Sequence, residues 1–124
     1  MKRKLEENDD LAESITSLCY NKFTKLPSRG KPSSTEWTHL AAFVSLNDEN
    51  GQIDILSIGT GTKCLGGNEQ ERGTQGCLLH DSHAEVIARR ALMRHFYQEI
   101  LDENSSTLVK QEENKFKLND SIRL

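Results

Sequence analysis

An α/β fold is predicted from three observations on the 124-residue sequence. Helical periodicity occurs at 11–20 and 84–100, apolar β-rich runs lie between at 37–46 and 53–58, and the terminal stretch reads as the start of another strand. The order is helix, strand, strand, helix and incipient strand, with helices packed on a mixed sheet. The pattern stops after the second main helix, where a sheet would continue. At this length one domain is the upper bound. Charged residues make up 28 % against 35 % hydrophobic, and the mean hydropathy is -0.66, so part of the chain is expected outside the core. Residues 1–10 are read as a flexible tail and 11–124 as the domain.

The first helix takes its apolar positions from Leu11, Ile15, Leu18 and Cys19, with Asp9 or Asp10 as the N-cap. Pro27, Gly30 and Pro32 exclude its continuation, so it should end near Lys22 to Lys25. The run from Trp37 to Leu46 is aromatic, apolar and β-branched enough for a buried strand. Asn47-Asp48-Glu49-Asn50-Gly51 is a turn signal, and Ile53 to Ile58 completes a hairpin. A Gly-rich loop is expected from Gly59 to Leu79, between a strand end and a helix start, where α/β folds place ligands. Ala84, Ala88, Leu92, Phe96 and Ile100 then form an i, i+4 stripe, broadened by Ile87 and Ala91. The segment from Asp102 to Asn114 is polar, and 115–118 and 121–124 suggest the next strand.

The net charge of -3 gives no global electrostatic argument for a nucleic-acid partner, although a local basic patch can still bind phosphate. Three widely spaced cysteines do not form a disulfide framework, and no apolar run resembles a signal peptide or membrane span. The expectation is an intracellular protein, in nucleus and/or cytoplasm, with no membrane partner. Met1-Lys2-Arg3-Lys4 is read as a solvated terminus rather than an import signal.

Chemistry is concentrated in His83-Ala84-Glu85. A neutral imidazole ligates zinc, and a carboxylate two residues on can take a proton from an activated water and hand it to a leaving amine, the division of labour of zinc deaminases. Two blander readings apply to the same residues. Ser82-x-x-Glu85 is also a capping box, in which Glu85 serves only the helix start. Cys77, His80 and His83 with Cys64 is also a local structural metal set, although the spacing matches no common finger. Gly59 to Lys63 lacks the Gly-Lys-Ser/Thr ending of a phosphate loop. Arg89 and Arg90 are either a solvated pair or two bidentate donors for a polyanion.

Gly59-Thr60-Gly61-Thr62-Lys63-Cys64, followed by Asp81 through Arg90, resembles the adenosine-to-inosine RNA editing deaminases. Leu18-Cys19-Tyr20, Leu26-Pro27, Gly30-Lys31-Pro32 and Glu36-Trp37-Thr38-x-Leu40-Ala41-Ala42 resemble the tRNA-acting branch of that family, and the stretch before residue 11 is expected to leave no room for double-stranded-RNA-binding domains, which favours that branch. The resemblance implies a cytidine-deaminase-like fold and zinc-dependent hydrolytic deamination at C6 of adenosine. The implied partner is tRNA, with the target in the anticodon loop of alanine tRNA. Carried over by position, His83 is a zinc ligand, Glu85 the proton shuttle, Thr62 and Lys63 contacts to the target nucleotide, and His39 part of the base pocket. Arg89 and Arg90 match a pair that approaches inositol hexakisphosphate, and Asp81 a polar relay leading to it. His80 stands where the family usually has Asn. The implied cysteine ligands fall beyond Leu124, and Cys19, Cys64 and Cys77 do not match them, so this chain is expected to be an incomplete and inactive portion. The alternative is a non-catalytic RNA-binding or interaction module that keeps the front half of the fold.

Overall fold

The computed structural model describes residues 2–28, 31–64, 81–102, 106–112 and 115–124. Its elements are α1 (Lys2–Lys25), β1 (Leu40–Asn47), β2 (Ile53–Thr60), β3 (Thr62–Cys64), β4 (Asp81–His83), α2 (Ala84–Asp102), β5 (Leu108–Glu112), β6 (Lys115–Leu118) and β7 (Ile122–Arg123). The α/β class expected from the pattern is the one observed. Every strand pairing among the described residues is antiparallel, rather than mixed.

The central sheet has the order β2-β1-β7. β1 and β2 form the expected hairpin, from Leu40 opposite Thr60 to Leu46 opposite Ile53, with a register shift between Phe43 and Val44. Asn47 organises the turn. Its side-chain oxygen accepts the backbone N–H of Glu49 at 2.8 Å, its carbonyl accepts Gly51 N–H at 2.8 Å, and Gly51 takes the left-handed φ of 70° that glycine tolerates. β7 adds to the other edge of β1, where Arg123 meets Asp48 at 2.6 Å and Ser121 donates to Glu49 at 2.6 Å.

α2 lies on β1 and β2 through the predicted stripe. Ala84, Ala88 and Leu92 are buried, and the first two are small because the helix backbone runs directly over β2. At Gly59 a side-chain Cβ would collide with the Ala84 carbonyl and come within 2.6 Å of Ala88 N. Beside it the buried Ser57 hydroxyl donates to the Ala88 carbonyl at 2.8 Å. Helix and strand are therefore in backbone-to-backbone contact at this crossing.

Several expectations are corrected. α1 begins at Lys2, so residues 2–10 are helical rather than a tail, and Asp9 and Asp10 are interior positions and not caps. Lys, Arg, Leu and Glu, which fill the first turns, are strong helix formers. Cys19 is buried, as the spacing required, but Leu18 is exposed. β1 starts three residues later than the run suggested, leaving Trp37 outside the sheet and 73 % exposed. Gly59 and Thr60 belong to β2, and 62–64 form β3; the rest of the expected Gly-rich loop lies outside the described residues. The polar stretch before 115 contains β5, paired with β6 from Leu108 opposite Leu118. No helix among the described residues is long and apolar enough to cross a membrane.

Candidate active site

Gly61 is the corner on which the site turns. With φ of 135°, a conformation side chains rarely adopt, it is the single residue between β2 and β3. Its N–H donates to the His39 carbonyl at 3.2 Å, and its carbonyl accepts the N–H of Ala84, the first residue of α2, at 3.0 Å. One glycine thus fixes the approach to β1 and the start of α2 in a single frame, and satisfies one of the helix's orphan donors.

β3 and β4 pair antiparallel across this corner, with Thr62 opposite His83, Lys63 opposite Ser82 and Cys64 opposite Asp81. Residues from the two halves of the sequence signature are thereby cross-strand neighbours. The N-terminus of α2 follows immediately, so His83 takes the position before the first helical residue and Glu85 is the second residue of the helix, exposed and at the positive end of the helix dipole. Ser82 sits in β4, two positions before the helix, so the Ser82-Glu85 capping box is not the arrangement observed. One half of such a box occurs instead at Ser33 and Glu36, where Glu36 Oε2 accepts Ser33 N–H at 3.0 Å, and it also accepts the Ser33 hydroxyl at 2.9 Å.

Asp81 controls the imidazole. Its Oδ1 accepts the backbone N–H of His83 and its ring Nδ1–H, both at 2.9 Å. A carboxylate can only accept, so Nδ1 carries the proton in this pairing and Nε2 is the ring nitrogen left for another partner. The hydrogen bonds from the His83 backbone and then its side chain hold the Asp81 carboxyl below its ordinary value, aided by the charges of His83 and Arg90. Arg90 Nη1 donates to the Asp81 carbonyl at 3.2 Å, so this cation braces β4 from the helix. Arg89 and Arg90 are both exposed.

The donor chemistry fits zinc at His83, a histidine whose second nitrogen is tied to a carboxylate in the manner of ligands generally. Among the described residues no three His, Cys, Asp or Glu side chains converge into a cage. Cys77 and His80, from the alternative structural set, lie outside the described residues. Cys19 is buried in α1, where burial raises its thiol, and Cys64 is exposed in β3; both are free. For a polyphosphate, the exposed guanidiniums of Arg89 and Arg90 are suitable donors, whereas ionised Asp81 is not a direct contact.

A cleft of about 660 Å³ opens beside the β3–β4 pair, lined by Lys31, Trp37, Thr62, Lys63 and Ser82 among others. Thr62 and Lys63 are therefore on its wall; His83, Glu85 and His39 are not among its lining residues. His39 precedes β1 and is exposed, its ring 5.1 Å from that of Trp37. Trp37 itself was hidden by the apolar run it begins. The signal that separates it from the strand is Ser33-x-x-Glu36, a turn box ending just before it.

Residues 57–124 match the adenosine-deaminase (editase) domain. The chain is 44 % identical over 88 residues to a tRNA-specific adenosine deaminase 1 of Drosophila melanogaster, covering 71 % of this chain and 22 % of that protein. It is 36 % identical over 110 residues to the tRNA-specific adenosine deaminase 1 of Saccharomyces cerevisiae, covering 83 % and 27 %. A double-stranded RNA-specific editase of Drosophila melanogaster is 31 % identical over 90 residues, covering 72 % and 13 %. No solved structure matches. The chain spans between about an eighth and a quarter of the length of these curated relatives. With more than half of its residues inside the domain match, and the β3–β4–α2 signature at its centre, this chain belongs to the adenosine-deaminase (editase) domain family.

Proposed function

We propose that this chain supplies the front part of a zinc-dependent hydrolytic deaminase that converts adenosine to inosine in tRNA. The observation that carries the reading is the β3–β4 pairing, which sets Thr62 across from His83 with Glu85 on the first turn of the adjoining helix. The relatives named for tRNA-specific adenosine deamination support tRNA over other RNA. Alanine tRNA, with the target in its anticodon loop, is the proposed substrate, and an intracellular setting, nucleus or cytoplasm, is proposed to go with it.

In the reaction water adds at C6 of adenine and ammonia leaves. Bound zinc supplies the Lewis acidity that makes water nucleophilic near neutral pH. His83 would hold the metal through a ring whose tautomer Asp81 selects, and Arg90 keeps Asp81 in place. Glu85 takes the proton of the attacking water and delivers it to the departing nitrogen, a role suited to an exposed carboxylate at a helix start. Thr62 and Lys63 position the nucleotide from the cleft wall, and His39 is proposed for the base pocket through its ring contact with Trp37, which lines the cleft. Arg89 and Arg90 are proposed to serve inositol hexakisphosphate, with Asp81 acting through Arg90 rather than on the phosphates.

His83 alone cannot retain a catalytic metal, so the 124-residue chain is proposed to be inactive by itself. The test is inosine formation on alanine tRNA with zinc, by this chain and by the chain extended through the coding sequence downstream of Leu124. Turnover by the extended protein alone supports the reading. Equal turnover by the short chain refutes the ligand assignment, and RNA binding without turnover by the extended protein favours a non-catalytic module.

A further inference from the structure

We infer that Trp37, with the His39 ring beside it and Lys63 on the same cleft, is a stacking platform for an unpaired RNA nucleobase next to the target nucleotide. The inference rests on the proposed RNA-deaminase reading and names a contact that reading does not contain.

Trp37 is 73 % exposed, an unfavourable place for the chain's one tryptophan unless something covers it. Its position is built rather than accidental. On its N-terminal side the Ser33–Glu36 turn is closed by two hydrogen bonds to Glu36 Oε2 and by Glu36 N–H on the Ser33 carbonyl at 3.1 Å. Further back, Lys31 Nζ donates to the Thr24 carbonyl at 2.8 Å and lies 5.2 Å from the centre of the Phe23 ring, which pins the loop to the end of α1. On its C-terminal side, His39 is held to the corner by Gly61 N–H. The indole is thus presented at the cleft by a loop fastened at both ends.

The surroundings select the ligand. The Trp37 and His39 rings are tilted by 44° at 5.1 Å, so together they make an angled aromatic surface. Bases stack on such faces whatever their sequence, and recognition of single-stranded RNA commonly uses them. Lys63 and the Thr62 hydroxyl line the same cleft and supply contacts for the connecting phosphate and sugar. Lys31 is already engaged with α1, and the Glu36 carboxylate, held ionised by Ser33, also lines the cleft. The cleft is therefore not uniformly cationic, which disfavours a bare polyanion and favours a base with one phosphate on Lys63.

The chain's single tryptophan makes the test direct. The probe is a seven-nucleotide single-stranded RNA with an anticodon-loop sequence, labelled so that its anisotropy reports binding independently. Saturable quenching of Trp37 emission that parallels the anisotropy is expected. Trp37→Ala should weaken binding about tenfold, Trp37→Phe should stay within about threefold of wild type, and Lys63→Ala should lower the salt dependence by about one phosphate. Binding without quenching, unchanged affinity of Trp37→Ala when its circular dichroism matches wild type, or no binding at all would each overturn the inference. Inosine assays on the extended protein separate the two claims. Unchanged KM in Trp37→Ala removes the platform and leaves the deaminase reading standing, whereas quenching without any inosine removes the deaminase reading and leaves the platform.

Discussion

A single carboxylate oxygen of Asp81 accepts two hydrogen bonds from His83, one from its backbone and one from its ring, each at 2.9 Å. The pair fixes both the orientation and the tautomer of the proposed zinc ligand. Asp81→Asn keeps the size of the side chain but removes the charge and the obligatory acceptor. In the zinc-loaded extended protein it should weaken metal retention by about 10- to 100-fold, measured by competition with a chelator. Unaltered affinity would mean that Asp81 does not orient the ligand.

The same pair predicts a pH dependence. The Asp81 carboxyl is lowered in the folded chain, first by the His83 backbone hydrogen bond and then by its side chain. A depressed carboxyl contributes stability above its unfolded value and loses it as pH falls through its folded value. Denaturant midpoints of wild type should therefore decline through the acid range below the ordinary carboxylate value, while those of Asp81→Asn start lower and decline less. The two curves should converge in acid. Parallel curves would show that the pairing does not persist in solution.

At Gly59 the contact is steric. An added Cβ meets the Ala84 carbonyl and Ala88 N from the overlying helix, and backbone cannot move aside as a flexible side chain can. Gly59→Ala should destabilise the chain by about 1–3 kcal/mol in urea unfolding and loosen the start of α2. A change below about 0.5 kcal/mol would mean that the helix does not cross β2 this closely.

Ser57 tests the crossing by a different interaction. Its buried hydroxyl donates to the Ala88 carbonyl at 2.8 Å, so Ser57→Ala should cost about 1 kcal/mol. Stability equal to wild type would place the hydroxyl elsewhere.

What was legible in the sequence follows from which forces are local. The Asn47–Gly51 turn and the Ala84-Ala88-Leu92 stripe are local patterns, and both appear where expected. The site residues were legible by likeness to a family, since nothing in residue spacing reveals that Thr62 will lie opposite His83; that depends on two short strands meeting across an intervening segment. β5 is not legible because most of its residues are polar and exposed, so only its pairing with β6, and no pattern of its own, makes it a strand. Trp37 was drawn into β1 because hydrophobicity alone does not register the turn formed by Ser33 and Glu36. α1 starts earlier than the charged composition of residues 2–10 suggests, because the residue types there favour helix.

Glu85 decides the central claim, because a helix-start carboxylate and a proton shuttle occupy the same position but respond differently to loss of the charge. Glu85→Gln should be made in the extended protein, with inosine formation on alanine tRNA as the readout and thermal unfolding as the control. The proton-shuttle role predicts that kcat falls by about 100-fold or more while folding is retained. Inosine formation at close to the wild-type rate, with only a modest loss of stability, would contradict it and leave Glu85 as a residue of the helix start alone.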